Sequence, residues 1–280
     1  MKKKLLLLFT AMMTMMILAA CGSDDSKGST GSDSGDKKVL KVGMEAGYAP
    51  FNWSQNDDSN GAVAIKGSKE FAAGYDVEIA KKIADGLDME LQIVKTDWDG
   101  LVPSLQSGAI DLVIAGMSPT EERKQVIDFT ENYYTSDYVI VVKADGPYAN
   151  AKSINDFAGA KVTGQQATTH YDVIDQMEGV NKEVAATDFG AMRVQLQSGA
   201  IDAYVSERPE GISAEMAMKN IKYIVPEPNF EADPSTTAVA VGLKKGSVYT
   251  DKINEVLKGI SEEERQKLME TAIENQPAAQ

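Results

Sequence analysis

The heptapeptide LQSGAID occurs twice in this chain, at residues 105–111 and again at 196–202. An Asp-aromatic pair precedes each copy at the same offset, Asp97-Trp98 in the first and Asp188-Phe189 in the second. A short apolar run follows each copy. This order predicts a helix, a glycine that ends the helix, and then a buried strand. Two copies of such a unit predict two lobes of similar construction.

The glycine and the aspartates that recur in the two units are expected to be structural. Gly108 and Gly199 are expected to adopt positive φ and to end the two helices. The aspartates are expected to support the scaffold, with helix caps at Asp97 or Asp99 and at Asp188, and structural roles at Asp111 and Asp202.

Strand and helix patterns alternate along the rest of the chain, which favours an α/β fold. Strands are predicted at 39–44 and 91–94, and a helix at 75–84 with Gly86 as its C-cap. The apolar runs 138–143 and 238–243 are predicted to carry the chain between the lobes. A helical segment at 248–276, with a capping box beginning at Ser261, is expected to return to the first lobe. The predicted architecture is two mostly parallel sheets flanked by helices and joined by two hinge strands.

The first residues have the pattern of a secretory signal. Three lysines at positions 2–4 precede an apolar run of 14 residues, which is shorter than the ~20 residues that span a bilayer. Small residues then precede Cys21, the only cysteine of the chain. This stretch resembles the lipobox of bacterial lipoproteins. We therefore expect cleavage before Cys21, an acyl group (palmitate) on its sulfur, and anchoring on the extracytoplasmic face of the cell membrane.

The composition after the signal separates a tether from a globular part. Thirteen of the 17 residues from 22 to 38 are Gly, Ser or Asp, which predicts a flexible linker. The formal net charge of −14 becomes −17 once the three signal lysines are removed, and so acidic a chain is not expected to bind nucleic acid. The predicted division is a signal peptide (1–20), a lipidated cysteine and tether (21–38), a first lobe (39–135 with 236–280) and a second lobe (136–235).

The candidate site lies where strands end, because ligands in open α/β sheets bind outside the carboxyl ends of the strands. The strand after the first repeat leads into Ala115-Gly116-Met117-Ser118-Pro119. Ser118 is predicted to cap a helix with Pro119 in its first position, so that free N–H groups face an anion. Arg123 would lie in the first turn of that helix and match a carboxylate. The alternative is a surface arginine paired with Glu122 or a nearby aspartate.

The corresponding position of the second unit offers the opposite charge. Its strand ends in Ser206-Glu207-Arg208-Pro209. A positive group on one lobe and a negative group on the other suit a small zwitterion held between them. The alternative at this position is a local pair between Glu207 and Arg208.

Further candidates also follow predicted strands. Tyr48 and Trp98 are placed to enclose an aliphatic or cationic side chain, although aromatic residues more often belong to a core. Glu45 directly follows the first strand. Gln165 and Thr168 lie in a strand-to-helix turn and offer polar groups to a ligand.

These residues resemble the extracellular solute-binding protein family 3, the amino-acid receptors of bacterial ABC importers. The resemblance covers nearly all of the chain after the tether, and its most specific part runs from Gly74-Tyr75-Asp76 to Phe129. It implies a two-lobed, hinged monomer without a cofactor, which closes on a free amino acid and docks to a permease with its ATPase. It also implies the binding residues: Arg123, Ser118 and Thr168 for the α-carboxylate, Glu207 for the α-ammonium, Tyr48 and Trp98 beside the side chain, Glu45 at its tip, and Ala115, Gly116 and Gln165 along the walls.

The chain departs from the family pattern at three places. Glu207 stands where the family usually has Asp, and Ala167 where it usually has Gly. The loop from 54 to 73 is longer than usual. Its segment 56–61 partly resembles a calcium loop, but Gly67 stands where the terminal Glu would be, which favours a turn without metal. Because Glu45 lies at the predicted side-chain end, arginine or lysine is the first choice of ligand and glutamine the second.

Two other classes of function are alternatives to a binding receptor. Catalysis by a Cys/His pair is excluded after Cys21, and His170 is the only histidine, expected on the rim of the second lobe. Some proteins of this type resemble dehydratases of prephenate, so this activity stays an alternative. A sensory module would need a transmembrane or signalling segment, and the pattern after the globular part predicts none.

Overall fold

The computed structural model describes residues 37–277, so the predicted signal peptide, the lipidated Cys21 and most of the tether lie outside the described residues. Within 37–277, no helix combines the length and the apolar composition that crossing a bilayer requires. The strands are β1 (Val39–Met44), β2 (Gly47–Tyr48), β3 (Asn52–Gln55), β4 (Val63–Ala64), β5 (Phe71–Ala73), β6 (Glu90–Lys95), β7 (Leu112–Val113), β8 (Asp128–Thr135), β9 (Tyr138–Lys143), β10 (Lys161–Thr163), β11 (Asn181–Lys182), β12 (Ala203–Glu207), β13 (Ile221–Ile224) and β14 (Ala238–Leu243).

The helices lie between these strands and after them. They are α1 (Tyr75–Gly86), α2 (Leu101–Ser107), α3 (Glu121–Val126), α4 (Thr169–Asp172), α5 (Phe189–Ser198), α6 (Arg208–Ala217), α7 (Pro234–Thr237), α8 (Thr250–Lys258) and α9 (Glu262–Asn275). The segment predicted as one helix at 248–276 is therefore two, and Ser261 caps the second by accepting from the backbone N–H of Glu264 at 3.2 Å. Both α8 and α9 pack against α1, as expected.

Two five-stranded sheets share one pattern of strand order and direction. The first has the order β6-β1-β7-β14-β8 and the second the order β11-β10-β12-β9-β13. In each sheet the first two pairings are parallel and the last two antiparallel. In each sheet, therefore, four strands run in one direction and one strand runs antiparallel to them. This strand is β14 in the first sheet and β9 in the second. The mostly parallel α/β fold predicted from the sequence is confirmed.

The chain passes between the two sheets twice. It leaves the first sheet after β8, enters the second at β9, and returns through α7 to β14. The two passages lie side by side, because Ala238 pairs with Thr135 and the N–H of Ser136 donates to the carbonyl oxygen of Thr237 at 2.9 Å.

The duplicated heptads form the same contacts in both sheets. Asp111 accepts a hydrogen bond from the backbone N–H of Lys41 at 2.9 Å, and Asp202 accepts one from Lys161, also at 2.9 Å. Each aspartate therefore fixes the start of the neighbouring parallel strand. Gly108 and Gly199 end their helices with φ of 82° and 77°. The structural role assigned to these residues agrees with their positions.

Two local predictions are wrong. Asp188 does cap α5 through the N–H of Ala191 at 2.8 Å, but α2 begins after Gly100 and has no side-chain cap from Asp97 or Asp99. Gly86 lies inside α1, and the left-handed residue is Asp88 with φ of 53°. A Cβ at Gly86 would lie 2.3 Å from a methyl carbon of Val256, so this glycine permits close packing with α8 rather than a cap.

The long loop after the first strand forms a third, antiparallel sheet of order β2-β3-β5-β4. Within it, the Asp57 carboxylate accepts hydrogen bonds from the N–H of Ser59 at 3.1 Å and from the side chain of Gln55 at 3.2 Å. In the segment 56–61, which was predicted as a turn, the carboxylate of Asp57 is thus hydrogen-bonded to protein groups.

Candidate functional site

Arg123 lies in the cleft between the two large sheets. Its Nη1 donates to the carbonyl oxygen of Ser118 and its Nη2 to that of Ala167, each at 2.9 Å. Its guanidinium carbon lies 5.1 Å from the ring centre of Trp98. Partial burial lowers the pKa of Arg123 to about 10, with Glu122 acting in the opposite direction. The group stays charged at neutral pH, and it contacts both sides of the cleft.

The helix that carries Arg123 starts later than predicted. Thr120, not Ser118, is its N-cap and accepts from the N–H of Arg123 at 3.3 Å. Ser118 instead donates to the carbonyl oxygen of Thr236 at 3.1 Å, in the passage that returns from the second sheet. The backbone of Ser118 is therefore fixed by Arg123 and its side chain by the return passage.

Glu207 faces the cleft from the end of β12. It is buried, and its Oε1 accepts a hydrogen bond from the hydroxyl of Tyr48. Burial raises the pKa of Glu207 to about 8, and the hydrogen bond from Tyr48 acts against that shift. Arg208 pairs with Asp137 instead, with Nε 3.2 Å from Oδ1. Glu207 and Arg208, both in the described part of the chain, therefore have different partners, and the local pair between them that the sequence left open does not form.

His170 lies beside Glu207, not on the rim where it was expected. Its Nε2 is 3.9 Å from Oε1 of Glu207, and its side chain is only 12% exposed. Burial, with a smaller contribution from Arg123, lowers the pKa of His170 to about 4, so the ring is neutral at pH 7. Its ring meets those of Tyr138 and Phe189 edge to face.

Glu45 joins the two sides at another point of the cleft. Its Oε1 accepts from Nε2 of Gln165 at 2.9 Å, and the same nitrogen donates to the carbonyl oxygen of Thr187 at 3.1 Å. Burial raises the pKa of Glu45 to about 7, and the nearby Asp188, Asp97 and Asp99 raise it further. These aspartates make this end of the cleft negative.

Thr168 shapes the turn that faces Arg123. Its hydroxyl donates to the carbonyl oxygen of Gln165 at 2.7 Å and accepts from the N–H of Tyr171 at 3.4 Å, which caps α4. Ala167 takes a left-handed conformation with φ of 54°, a region that glycine occupies more easily. Its carbonyl oxygen accepts from Nε1 of Trp98 at 3.2 Å, so the strained turn binds both Trp98 and Arg123.

A narrow pocket brings most of the predicted residues together. Its lining consists of Tyr48, Trp98, Gly116, Ser118, Arg123, Gln165, Thr168, Thr169, His170 and Phe189. Glu207 lines an adjoining narrow pocket, which Ser118 and His170 also line. Ala115 is buried just before Gly116, and Glu45 meets the lining through Gln165.

Sequence reasoning missed two lining residues, His170 and Phe189. Phe189 stacks on Tyr48 with ring centres 4.3 Å apart. The repeat contained its signal, because Phe189 follows Asp188 as Trp98 follows Asp97. Both aromatic residues of the repeated units therefore reach the same cavity, one from each sheet. Nothing in the local pattern distinguishes His170 from surface residues of a short helix.

Two mixed sheets linked by two adjacent passages, with a basic and an acidic side chain facing the cleft, define a solute-binding protein of the two-sheet α/β type. The model of the family described as bacterial extracellular solute-binding proteins, family 3, matches residues 40–274. The chain belongs to this family.

Several relatives resemble most of the chain. The arginine-binding extracellular protein ArtP of Bacillus subtilis is 32% identical over 264 residues, 92% of each chain. The amino acid ABC transporter substrate-binding protein AbpA of Streptococcus pneumoniae, solved with L-arginine, superposes with a TM-score of 0.71 at 28% identity, over 84% of this chain and 94% of that one. An ancestral arginine-binding protein solved with glutamine has a TM-score of 0.67 at 31% identity, over 84% and 97% of the two chains.

Proposed function

We propose that this protein is the substrate-binding receptor of an ABC importer and that it holds a free L-amino acid, with arginine favoured, in the cleft between its two large sheets. One observation carries the proposal. The guanidinium of Arg123 and the carboxyl of Glu207 line adjoining cavities that share Ser118 and His170. This arrangement suits the two opposite charges on the α-carbon of an amino acid.

The residue roles follow from that arrangement. Arg123 binds the α-carboxylate, with Ser118 and Thr168 beside it, and Glu207 binds the α-ammonium. Tyr48, Trp98, Gly116 and Gln165 surround the ligand, with Ala115 behind them. Glu45 accepts the tip of the side chain. The relatives named as arginine-binding support arginine as the ligand.

The preference for arginine rests on the negative end of the cleft. Glu45 and three nearby aspartates lie there, and a guanidinium offers a planar fork of donors that fits a carboxylate. Trp98 lines the same pocket and offers an aromatic ring to a cationic stem. Glutamine is the second candidate, and it is supported by the relative solved with glutamine.

The proposed cycle needs motion and an anchor. We take residues 39–135 with 236–280 as one lobe and 136–235 as the other, which open and close about the two passages. An acyl chain on Cys21 and the linker after it keep the monomer near its permease. Mass spectrometry of the mature protein tests the anchor, because an acylated N-terminal Cys21 is expected and an unmodified one would contradict it.

A thermal-shift screen over the standard amino acids tests the function. A ligand that binds only the native state at 100 times its Kd stabilises the protein by ~2.7 kcal/mol. Arginine is expected to give the largest rise in Tm. The absence of a shift with any amino acid would contradict the proposal. The dehydratase alternative is tested by incubating the protein with prephenate and monitoring the absorbance. No aromatic product is expected.

A further inference from the structure

We propose that Asp76 is a positioning residue for the binding site, whose buried carboxylate holds both ligand-facing loops of the first sheet, residues 45–48 and 115–118. Asp76 is the second residue of α1 and is fully buried. This inference rests on the proposed amino-acid-binding function, since it concerns the site defined there.

The start of α1 is pressed against the chain that follows Tyr48. The N–H groups of Tyr75 and Asp76 donate to the carbonyl oxygens of Pro50 and Phe51, at 3.1 and 2.8 Å. Gly74 makes this approach possible, because a Cβ there would lie 2.4 Å from the carbonyl oxygen of Phe51. The carboxylate of Asp76 is thereby brought beneath the loops that carry the site.

One arm of the network reaches the loop of Glu45 and Tyr48. Oδ2 of Asp76 accepts from Nδ2 of Asn52 at 2.8 Å, and Oδ1 of Asn52 accepts from the backbone N–H of Ala46, also at 2.8 Å. Because Asp76 binds the amide nitrogen, the amide oxygen of Asn52 must face Ala46. The orientation of Asn52 therefore fixes the backbone between Glu45 and Tyr48.

The other arm reaches the loop of Gly116 and Ser118. Oδ1 of Asp76 accepts from the hydroxyl of Tyr133 at 2.8 Å, and that hydroxyl accepts from the N–H of Gly116 at 3.2 Å. Gly116 has φ of 61°, and a Cβ there would lie 2.7 Å from the ring of Tyr48. The two loops thus touch at Gly116 and Tyr48, and one carboxylate sets the position of each.

The ionised form of Asp76 suits this role because it only accepts hydrogen bonds. Burial raises the pKa of Asp76 to about 6, while the hydrogen bonds from Tyr133 and Asn52 act against that shift. At pH 7.5 both oxygens are therefore acceptors for the two arms.

Asp76→Asn is the direct test, since it keeps the shape but replaces one acceptor oxygen by a donor. Its matched control is Tyr75→Phe, which removes a neighbouring buried hydrogen bond, from the Tyr75 hydroxyl to the carbonyl oxygen of Tyr133 at 2.9 Å. NMR hydrogen exchange at pH 7.5 is expected to be about 5- to 10-fold faster at the amides of Ala46 or Gly116 in Asp76→Asn, in line with one lost hydrogen bond. Calorimetry is expected to show an arginine Kd weakened about 10-fold or more. Tyr75→Phe should lower Tm and leave both measurements at the wild-type values.

Tyr133→Phe is the second variant, and it decides the matter if Asp76→Asn does not fold. It breaks one arm only, so exchange should quicken at Gly116 and not at Ala46, again with weaker arginine binding. Wild-type exchange and affinity in folded Asp76→Asn would overturn the inference. The inference would also be overturned if, in all three variants, the loss of arginine affinity were proportional to the decrease in Tm. If the wild-type protein binds no amino acid, the proposed function fails, and the exchange measurements alone still decide whether Asp76 holds the two loops.

Discussion

The hydroxyl of Tyr48, on the first sheet's side of the cleft, donates to the carboxyl of Glu207, on the second sheet's side. The ring of Tyr48 lies between those of Phe51 and Phe189, with ring centres 5.0 and 4.3 Å away. The group proposed to bind the α-ammonium therefore already has a partner from the opposite wall. Ligand binding must exchange this partner for the ammonium.

Tyr48→Phe is therefore expected to strengthen arginine binding, because the competing hydrogen bond is lost and the stacked ring is kept. One net hydrogen bond corresponds to about 0.5–1.5 kcal/mol, or a Kd about 2- to 10-fold tighter. Isothermal titration calorimetry measures this change. A weaker Kd would mean that the Tyr48 hydroxyl contacts the ligand instead of competing with it.

Arg123→Ala is expected to lose arginine binding, with a penalty of ~2–5 kcal/mol typical of a truncated buried charge pair. Circular dichroism should show an intact fold. Lys124→Ala is the control on the same helix, because its pair with Glu121 at 2.8 Å is solvent-exposed. Exposed pairs contribute little, so the control should bind as the wild type does. Wild-type affinity in folded Arg123→Ala would refute the carboxylate assignment.

Glu207→Gln is expected to weaken binding only for ligands with a free α-ammonium. The measurement compares arginine with its deaminated analogue in both proteins. The analogue should lose little affinity, because its interaction with Glu207 is missing from the outset. Equal losses for the two ligands would assign a structural role to Glu207.

Glu45→Gln is expected to weaken arginine binding far more than glutamine binding, because only the cationic ligand needs the negative charge. Competition among arginine, lysine, glutamine and glutamate in the wild-type protein provides the comparison. Tighter binding of glutamate than of either basic amino acid would contradict the role of Glu45, since two carboxylates would then be buried together.

Arginine binding near pH 7 is expected to release protons. In the unliganded protein the raised pKa values of Glu45, about 7, and Glu207, about 8, keep much of both groups protonated at that pH. A bound cation favours the ionised carboxylate and lowers its pKa, so each proton leaves on binding. Affinity should consequently rise with pH between about 6 and 8.

Calorimetry in buffers of different ionisation enthalpy counts these protons. Glu207→Gln serves as the control, since it should release fewer protons than the wild type. Proton uptake on binding, or no exchange at all, would contradict the assignment of both carboxyls to the ligand's cationic groups.

The sequence predicted what depends on short-range geometry and repetition. Gly108 and Gly199 end helices because glycine accepts positive φ, and the repeated heptad revealed both sheets. The failures share a physical cause, which is competition from distant parts of the chain. Ser118 would be a good N-cap by its neighbours alone, yet its hydroxyl binds Thr236, 118 positions away. Gly86 has the sequence position of a C-cap, yet it lies within α1. A glycine is needed there because the side chain of Val256 packs against it and leaves no room for a Cβ.

The same distinction between short-range and long-range determinants applies to the residues of the candidate site. Arg123, Glu207 and Gln165 lie at the cleft as predicted, because they follow strands at the edge where both sheets meet it. His170 was missed because its burial depends on Tyr138 and Phe189, which no local pattern connects to it. The hydrogen bond from Tyr48 to Glu207 could not be predicted either, since the two residues are 159 positions apart in the sequence.

The pairing of Thr135 with Ala238 makes the second sheet a topological insertion. These residues are direct neighbours on antiparallel strands β8 and β14, where opposed Cα atoms lie about 4.5–5.5 Å apart. A two-residue turn of the Asn-Gly type can join strands at that separation. Residues 136–237 therefore occupy the position of a hairpin loop, and a chain that lacked them would still have the two ends of its first sheet in register.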